Sequence, residues 1–363
     1  MSERAYLSTR KGLFELDRRA AGWEIGARHF LGEPVSIALD DARDGTLYAA
    51  LNLGHFGVKL HRRDAGSTVW TEIAAPAYPR KPEDSPDKVE WKNKLIWSLE
   101  AGGADQPGVL WAGTLPGGLF RSADRGASWQ LVQALWDVPQ RAEWFGGGYD
   151  VPGIHSISVD PRNSDHVLVA VSCGGVWRTE DGGASWAVSA TGMRADYMPP
   201  ELNENEAVQD PHRIVRAHAT PDRLWCQHHN GIWHSDNGGR RWQELRDVAP
   251  STFGFAVAVH PQDGNTAWFA PAEADQRRIP VDSALVVTRT SDGGKSFTAL
   301  RSGLPQKDCY DLVYRHGLAV SDDGRQLLMA STSGGLWASE NGGDHWQTVS
   351  TTFPPIYAVS FAK

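Results

Sequence analysis

The sequence predicts an all-β fold: one domain, residues 1–363, folded as a seven-bladed β-propeller whose ring is closed by its own C-terminal strand. Two observations carry this expectation. First, one motif recurs along the chain: a short β-rich run, Gly-Gly, an apolar–aromatic pair, Arg or Ser, then Ser/Thr-x-Asp/Asn-x-Gly-x-x-Trp/Phe. Second, the closing aromatics are Trp23, Trp70, Trp129, Trp186, Trp242, Phe297 and Trp346, at steps of 47, 59, 57, 56, 55 and 49 residues. A unit of roughly 50 residues built from short strands and tight turns matches a propeller blade, which four strands of about six residues plus loops would fill.

The elements follow from local patterns. The clearest copies of the motif run Gly117–Trp129 and Gly174–Trp186, while those ending at Trp23 and Trp70 are degenerate. Upstream of each motif lie two more strand-like runs. Ile154–Asp160 and Val167–Val171, separated by Asp160-Pro161-Arg162-Asn163, form one such strand-turn-strand pair. The chain starts inside a blade at Ala5–Thr9, and the lone run Ile356–Phe361 supplies the missing first strand of that blade, removing an open edge. Within each motif the Asp or Asn can bond the amides of its own turn, Gly permits positive φ, and the Trp is expected to pack between neighbouring sheets. Each copy therefore reads first as a structural device.

Composition narrows the function classes. Hydrophobic residues make up 40% of the chain and charged residues 22%, enough apolar material for a core. No run approaches the ~20 apolar residues of a membrane helix. The segment Met1–Leu7 lacks a signal-peptide hydrophobic region, so a cytoplasmic location is expected. A formal charge of −8 argues against a general nucleic-acid surface. The three cysteines, Cys173, Cys226 and Cys309, are far apart in sequence and form neither a disulfide framework nor a zinc module. Neither a Gly-x-Ser-x-Gly elbow nor a phosphate loop opening a helix is present.

These boxes resemble the Asp-box (BNR) repeat of sialidases, xyloglucanase-type glycoside hydrolases, sortilin-type receptors and the photosystem II assembly propeller. The longer phrases Trp144–Asp150, Tyr197–Pro200, Gln209–His212 and Gln227–Gly231 are similar to those of bacterial BNR-repeat, sialidase-like proteins. The resemblance implies the propeller fold but no single activity. Sialidases carry an Arg-Ile-Pro ahead of their first box, whereas here Arg278-Ile279-Pro280 lies inside an insertion of the sixth blade. Neither the sialidase nor the xyloglucanase active site carries over.

Propeller geometry sorts the loops onto two faces, with the boxes on one and the long inter-blade connections on the other. The second face collects His55, His155, His212, His228, His229 and His316. With nearby carboxylates these are candidate ligands for a divalent ion, Zn or Mn. A wet, polar channel that merely hydrogen-bonds its histidines is the bland alternative. His228 and His229 cannot both face the channel from a strand, though they can from a turn. Glu143, Asp150 and Asp210 are candidate acid and base groups, Tyr149 and Tyr310 candidate stacking or proton-transfer groups, and Arg216 and Arg315 candidate carboxylate clamps. The insertion Pro271–Ser283 is expected to act as a lid. Three readings result: a hydrolase or lyase acting on a sugar or similar polar small molecule, a metal-dependent ester or lactone hydrolase, and a non-catalytic binding or assembly module. The expected partner is a small-molecule or glycan-like substrate, with no nucleic acid and no membrane.

Overall fold

A computed structural model of the chain describes residues 2–85 and 87–363; Met1, part of the N-terminal segment read above, and Pro86 lie outside that description. The fold is a seven-bladed β-propeller of four-stranded antiparallel sheets. Blade 1 takes its first strand from the C-terminal run: Ile356–Phe361 pairs with Arg4–Thr9, which is followed by Gly12–Arg19 and Gly22–His29. The first strands of blades 2 to 7 are Val35–Asp41, Leu95–Ala101, Ile154–Asp160, Pro211–Arg216, Gly254–Val259 and Leu318–Val320. Chain contacts separate two compact units. Residues 1–35 with 212–363 carry blades 1, 5, 6 and 7, and residues 36–211 carry blades 2, 3 and 4.

The apolar core lies between successive blades as well as within them. In one cluster Leu7, Leu16 and Phe361 of blade 1 pack on Leu328 and Leu336 of blade 7; in another Ala256 and Trp268 of blade 6 pack on Leu327 and Trp337 of blade 7. Each sheet is thus apolar on both faces, which explains the continuous runs such as Val167–Val171, buried throughout.

The five well-formed boxes lie between the third and fourth strands of their blades and share the bonds that the Ser/Thr hydroxyl and the backbone amide four residues past the Asp or Asn donate to its Oδ1. In the box of blade 4, Thr179 Oγ1 donates to Asp181 Oδ1 (2.7 Å), and Thr179 Oγ1 accepts from Gly183 N (3.0 Å). Asp181 Oδ1 also accepts from Ser185 N (2.9 Å), while Oδ2 takes the Ser185 hydroxyl (2.5 Å). The Ser122–Ser128 and Thr290–Ser296 boxes repeat these bonds, and Asn replaces Asp in the two boxes containing Asn237 and Asn341.

The aromatic that locks adjacent blades together sits in the second strand. Tyr48, Trp111, Trp225 and Trp268 are fully buried, each beneath the box glycine of the next blade: Gly126, Gly183, Gly294 and Gly343. The box-closing aromatics are more varied than expected. Trp242 and Trp346 are buried, whereas Trp129, Trp186 and Phe297 are half-exposed.

Donation from the Ser185 hydroxyl, then from Thr179, holds the Asp181 carboxyl down at about 2, and Ser296 does the same for Asp292. A depressed carboxyl stabilises the fold above its unfolded value near 3.8, and that contribution disappears as pH falls through about 2. The melting temperature is therefore expected to drop between about pH 4 and pH 2, with a shallower drop in Asp181→Asn than in the parent chain. Thermal unfolding followed across that range checks this.

Candidate functional site

Four of the first strands share a distortion near their starts that re-aims a side chain. In blade 4, Ile154 faces Val171 and Ser156 faces Ala170, so His155 is bypassed. Trp97, Phe255 and Tyr357 are bypassed in the same way in blades 3, 6 and 1. Such a bulge breaks the in–out alternation and re-aims the extra residue. His212, like His155, is the second residue of its strand. Side chains near these strand starts touch between successive blades: Trp97 meets His155 at 5.3 Å, and His212 stacks on Phe255 at 4.4 Å with an interplanar angle of 14°.

Blades 5, 6 and 7 build the densest arrangement. Phe253, Phe255, Ala272 and Leu312 form a buried apolar floor. Upon it lie the His212 ring, the His229 ring 5.5 Å from His212, and Tyr314 edge-on to Phe255 at 4.9 Å. Two guanidinium groups converge on Phe255, Arg315 at 5.5 Å and Arg278 at 5.3 Å from the ring centre. Arg315 is 6% exposed. His212 Nδ1 lies 2.7 Å from the Gly254 carbonyl oxygen. A carbonyl only accepts, so Nδ1 carries a proton and Nε2 is the nitrogen whose protonation can change. This places a buried, orientation-locked imidazole beside two cationic forks on a dry floor.

The remaining predicted residues are distributed as follows. His228 ends its strand, accepts from Asn230 N on Nδ1 and packs on Trp233, while His229 enters the turn and meets His212, so the adjacent pair diverges. The His316 carbonyl accepts from Val359 N beside the first strand of blade 1, and Tyr310 is 63% exposed. Arg216 departs from its expected role. It ends the strand in which His212 is second, about 13 Å from His212 by strand rise, and donates to the Pro221 carbonyl at the box end of blade 5.

In the other unit, Tyr149 and His155 both pack edge-on against Trp97. Asp210 is buried, its Oδ1 accepting from Cys173 N (3.1 Å) and Ser172 Oγ (3.3 Å). Glu143 is exposed and accepts from Asn205 Nδ2, Asp150 is exposed, and His55 is exposed in the short 3-10 turn Gly54–Phe56. The cysteines are buried and form no disulfide. Burial pushes the Cys309 thiol up to about 11, the reverse of what a nucleophile requires.

Phe255, Tyr314 and Arg278 complete the blade 5–7 cluster, and residue-type reasoning singled out none of them as a site residue. A signal existed for Phe255. Phe253-Gly254-Phe255-Ala256 aligns with Gly153-Ile154-His155-Ser156, so it holds the repeat position of a histidine. A separate cavity of about 550 Å³ lies at the box end of blades 5 and 6, lined by Arg223, His234, Asp236, Asn265 and Lys295 among others, and contains none of the predicted site residues.

No family model matches the chain, and no curated protein matches it either. Solved structures do. An ancestral GH74 enzyme superposes with a TM-score of 0.60 at 16% identity, covering 88% of this chain, which spans 39% of that enzyme's length. YCF48 from Cyanidioschyzon merolae aligns with a TM-score of 0.55 at 14% identity over 89% of this chain and 87% of its own. The Swd1 β-propeller domain of Myceliophteria thermophila gives 0.58 at 10% identity, covering 90% of each chain. At these identities the likeness establishes the propeller fold. No helix among the described residues is long and apolar enough to cross a membrane.

Proposed function

We propose that this chain is an enzyme of the hydrolase or lyase type acting on a sugar-derived small molecule, with the blade 5–7 cluster as its active site and His212 as its general acid–base. The carrying observation is the His212 imidazole, fixed through Nδ1 on the Gly254 carbonyl and stacked on Phe255, with Arg315 against the same ring. An imidazole so oriented presents one titratable nitrogen, as proton transfer near neutral pH requires. Arg315 stabilises negative charge that develops on the reacting group. Tyr314, edge-on to Phe255, is exposed and provides a face on which a sugar ring can stack. The likeness to a GH74 enzyme agrees with this reading without assigning a substrate. We also infer membership of the Asp-box (BNR) family from the box bonds. Turnover of a panel of aryl glycosides, sugar lactones and uronate-containing oligosaccharides tests the proposal; a chain that folds and turns over none of them refutes it.

A divalent ion is the second reading. A ligating histidine commonly donates its other ring nitrogen to a backbone carbonyl, as His212 does to Gly254. His212 and His229 would supply two of the roughly three protein ligands of a catalytic zinc, and in sequence Asp210 is the nearest carboxylate to His212. Elemental analysis of the purified chain decides: stoichiometric zinc or manganese that disappears in His229→Ala supports the metal reading, and metal-free active protein removes it.

A further inference from the structure

We propose that His234 is a proton-operated latch on the seam between blades 5 and 6: neutral, it anchors an arginine that bridges to blade 6, and protonated, it releases that arginine. The latch is independent of the enzymatic reading above. Arg223 stands just ahead of the second strand of blade 5, and His234 lies in the third strand, directly before the box residue Ser235. Arg223 Nη1 is 2.7 Å from His234 Nδ1. A guanidinium only donates, so Nδ1 accepts and bears no proton, which makes the ring neutral. The same guanidinium donates through Nη2 to Asn265 Oδ1 of blade 6 at 3.3 Å, and its Nε lies 2.8 Å from Asp236 Oδ1. A proton on Nδ1 turns the 2.7 Å contact into two like-charged donors facing each other. The imidazolium is drawn instead to Asp236 Oδ1, 3.6 Å away, and competes with Arg223 for it. Arg223 then loses the partners that aim it at Asn265.

The repeat sets this seam apart. The residue before the box Ser or Thr is Arg121, Arg178 and Arg289 in blades 3, 4 and 6. Arg289 reaches the next blade directly, donating to the Gly342 carbonyl (2.9 Å) and to Asp344 (2.8 Å). Arginine keeps its charge at every ordinary pH, so that bridge is indifferent to acid. In blade 5 a titratable ring holds the position and the bridge passes to Arg223. His234 is 7% exposed, yet it lines the box-end cavity with Arg223 and Asp236, which gives protons a route to it. Its other neighbours are Trp225, with ring centres 5.5 Å apart, and Gln243 of the fourth strand, which hydrogen-bonds it. Across the cavity stand Asp292 and Lys295, one charge of each sign, and Asp292, held at about 2, stays ionised throughout. Glu244 sits opposite Trp233, so it lies on the other face of the sheet, tied to Arg246. Burial, helped by the Arg223 charge and opposed by Asp236, holds the imidazole below its ordinary value of 6.5. The folded chain therefore binds this proton more weakly than the unfolded chain. The latch stabilises the fold above 6.5, and that contribution is lost as pH falls through the lower folded value.

Proton NMR of the His234 ring in the full chain, titrated from about pH 8 to about pH 4.5 and assigned by its absence from His234→Asn, tests this. The midpoint is expected below 6.5 in the parent chain, higher in Arg223→Met, where the opposing cation is gone and Asp236 remains, and lower in Asp236→Asn. The seam is read at the Gly293 amide, which donates to the Asn265 carbonyl at 3.0 Å. Its protection against hydrogen exchange, corrected for the intrinsic rate, is expected to fall about threefold or more between about pH 7 and about pH 5. In His234→Asn the protection should stay level, because the amide oxygen can still accept from Arg223 and does not titrate. Melting temperatures confirm that the variants fold, and where Arg223→Met does not, Asp236→Asn carries the comparison. A parent midpoint at or above 6.5, a midpoint that neither substitution moves, or Gly293 protection that falls equally in His234→Asn overturns the latch.

Discussion

Replacing His212 by asparagine is expected to lower kcat/KM by about 10²–10⁴-fold, the usual contribution of a positioned general acid–base. Asparagine is the informative substitution because its side-chain amide can still donate to the Gly254 carbonyl, where His212 Nδ1 now lies at 2.7 Å. The structural bond persists and the titratable Nε2 is removed. Alanine would confound the result, since His212 is 2% exposed and stacked on Phe255, and its removal would leave a void over the floor. The pH–rate profile separates the roles. If His212 transfers the proton, the residual activity of the asparagine variant loses one ionisation limb. If the ring only fills space, the limb survives with kcat nearly unchanged, and the assignment fails. Metal content measured on the same protein distinguishes loss of a base from loss of a ligand.

Gly294→Ala is expected to destabilise the chain by about 2–5 kcal/mol, combining backbone strain at positive φ with forced overpacking. The φ of Gly294 is +92°, and an added Cβ would fall 2.6 Å from Leu245 Cδ1 and 3.3 Å from the Trp225 ring. Both neighbours belong to the preceding blade, so the clash opens the seam between blades 5 and 6. Gly32→Ala serves as the control. Its φ is +94°, yet nothing lies within 4 Å of the place its methyl group would take, so it isolates strain from crowding. Trp225→Ala attacks the same seam from the other side. Trp225 is fully buried and donates to the Gly264 carbonyl at 2.9 Å, and truncating it should cost about 3–5 kcal/mol. Denaturant midpoints rank the variants. If Gly294→Ala matches Gly32→Ala, the box glycine matters for its φ alone and the proposed contact is immaterial.

The fold was legible because its signals are local and repeated. Seven closing aromatics at near-constant spacing announce the blades, and the orphan strand Ile356–Phe361 announces the closure. The site was legible only in part. Loop lengths put His155 and His212 on the face opposite the boxes, but a pattern of residue types carries no register, and the bulge that re-aims Phe255 and Trp97 is a property of pairing. Phe255 was missed because an aromatic in an apolar run reads as core. Arg216 was misjudged because a strand connects both ends of its blade: four residues after His212 the same strand has reached the box end. Arg278 sits in an insertion outside the repeat, where no periodicity indicates which way a side chain points. Arg278 and Arg315 both reach the Phe255 ring through packing across two blades, a long-range contact that spacing does not encode.

The pairing of Leu7 with Val359 also carries a biosynthetic consequence. During translation Arg4–Thr9 leaves the ribosome before Ile356–Phe361, and the ladder edge that faces this partner stays unpaired until it emerges. Throughout that interval the nascent molecule displays a sticky strand of five buried-type residues, Ala5 to Thr9, to every neighbouring polypeptide. Elongation speed and the availability of holdase chaperones thereby become determinants of yield, independently of how stable the finished molecule is.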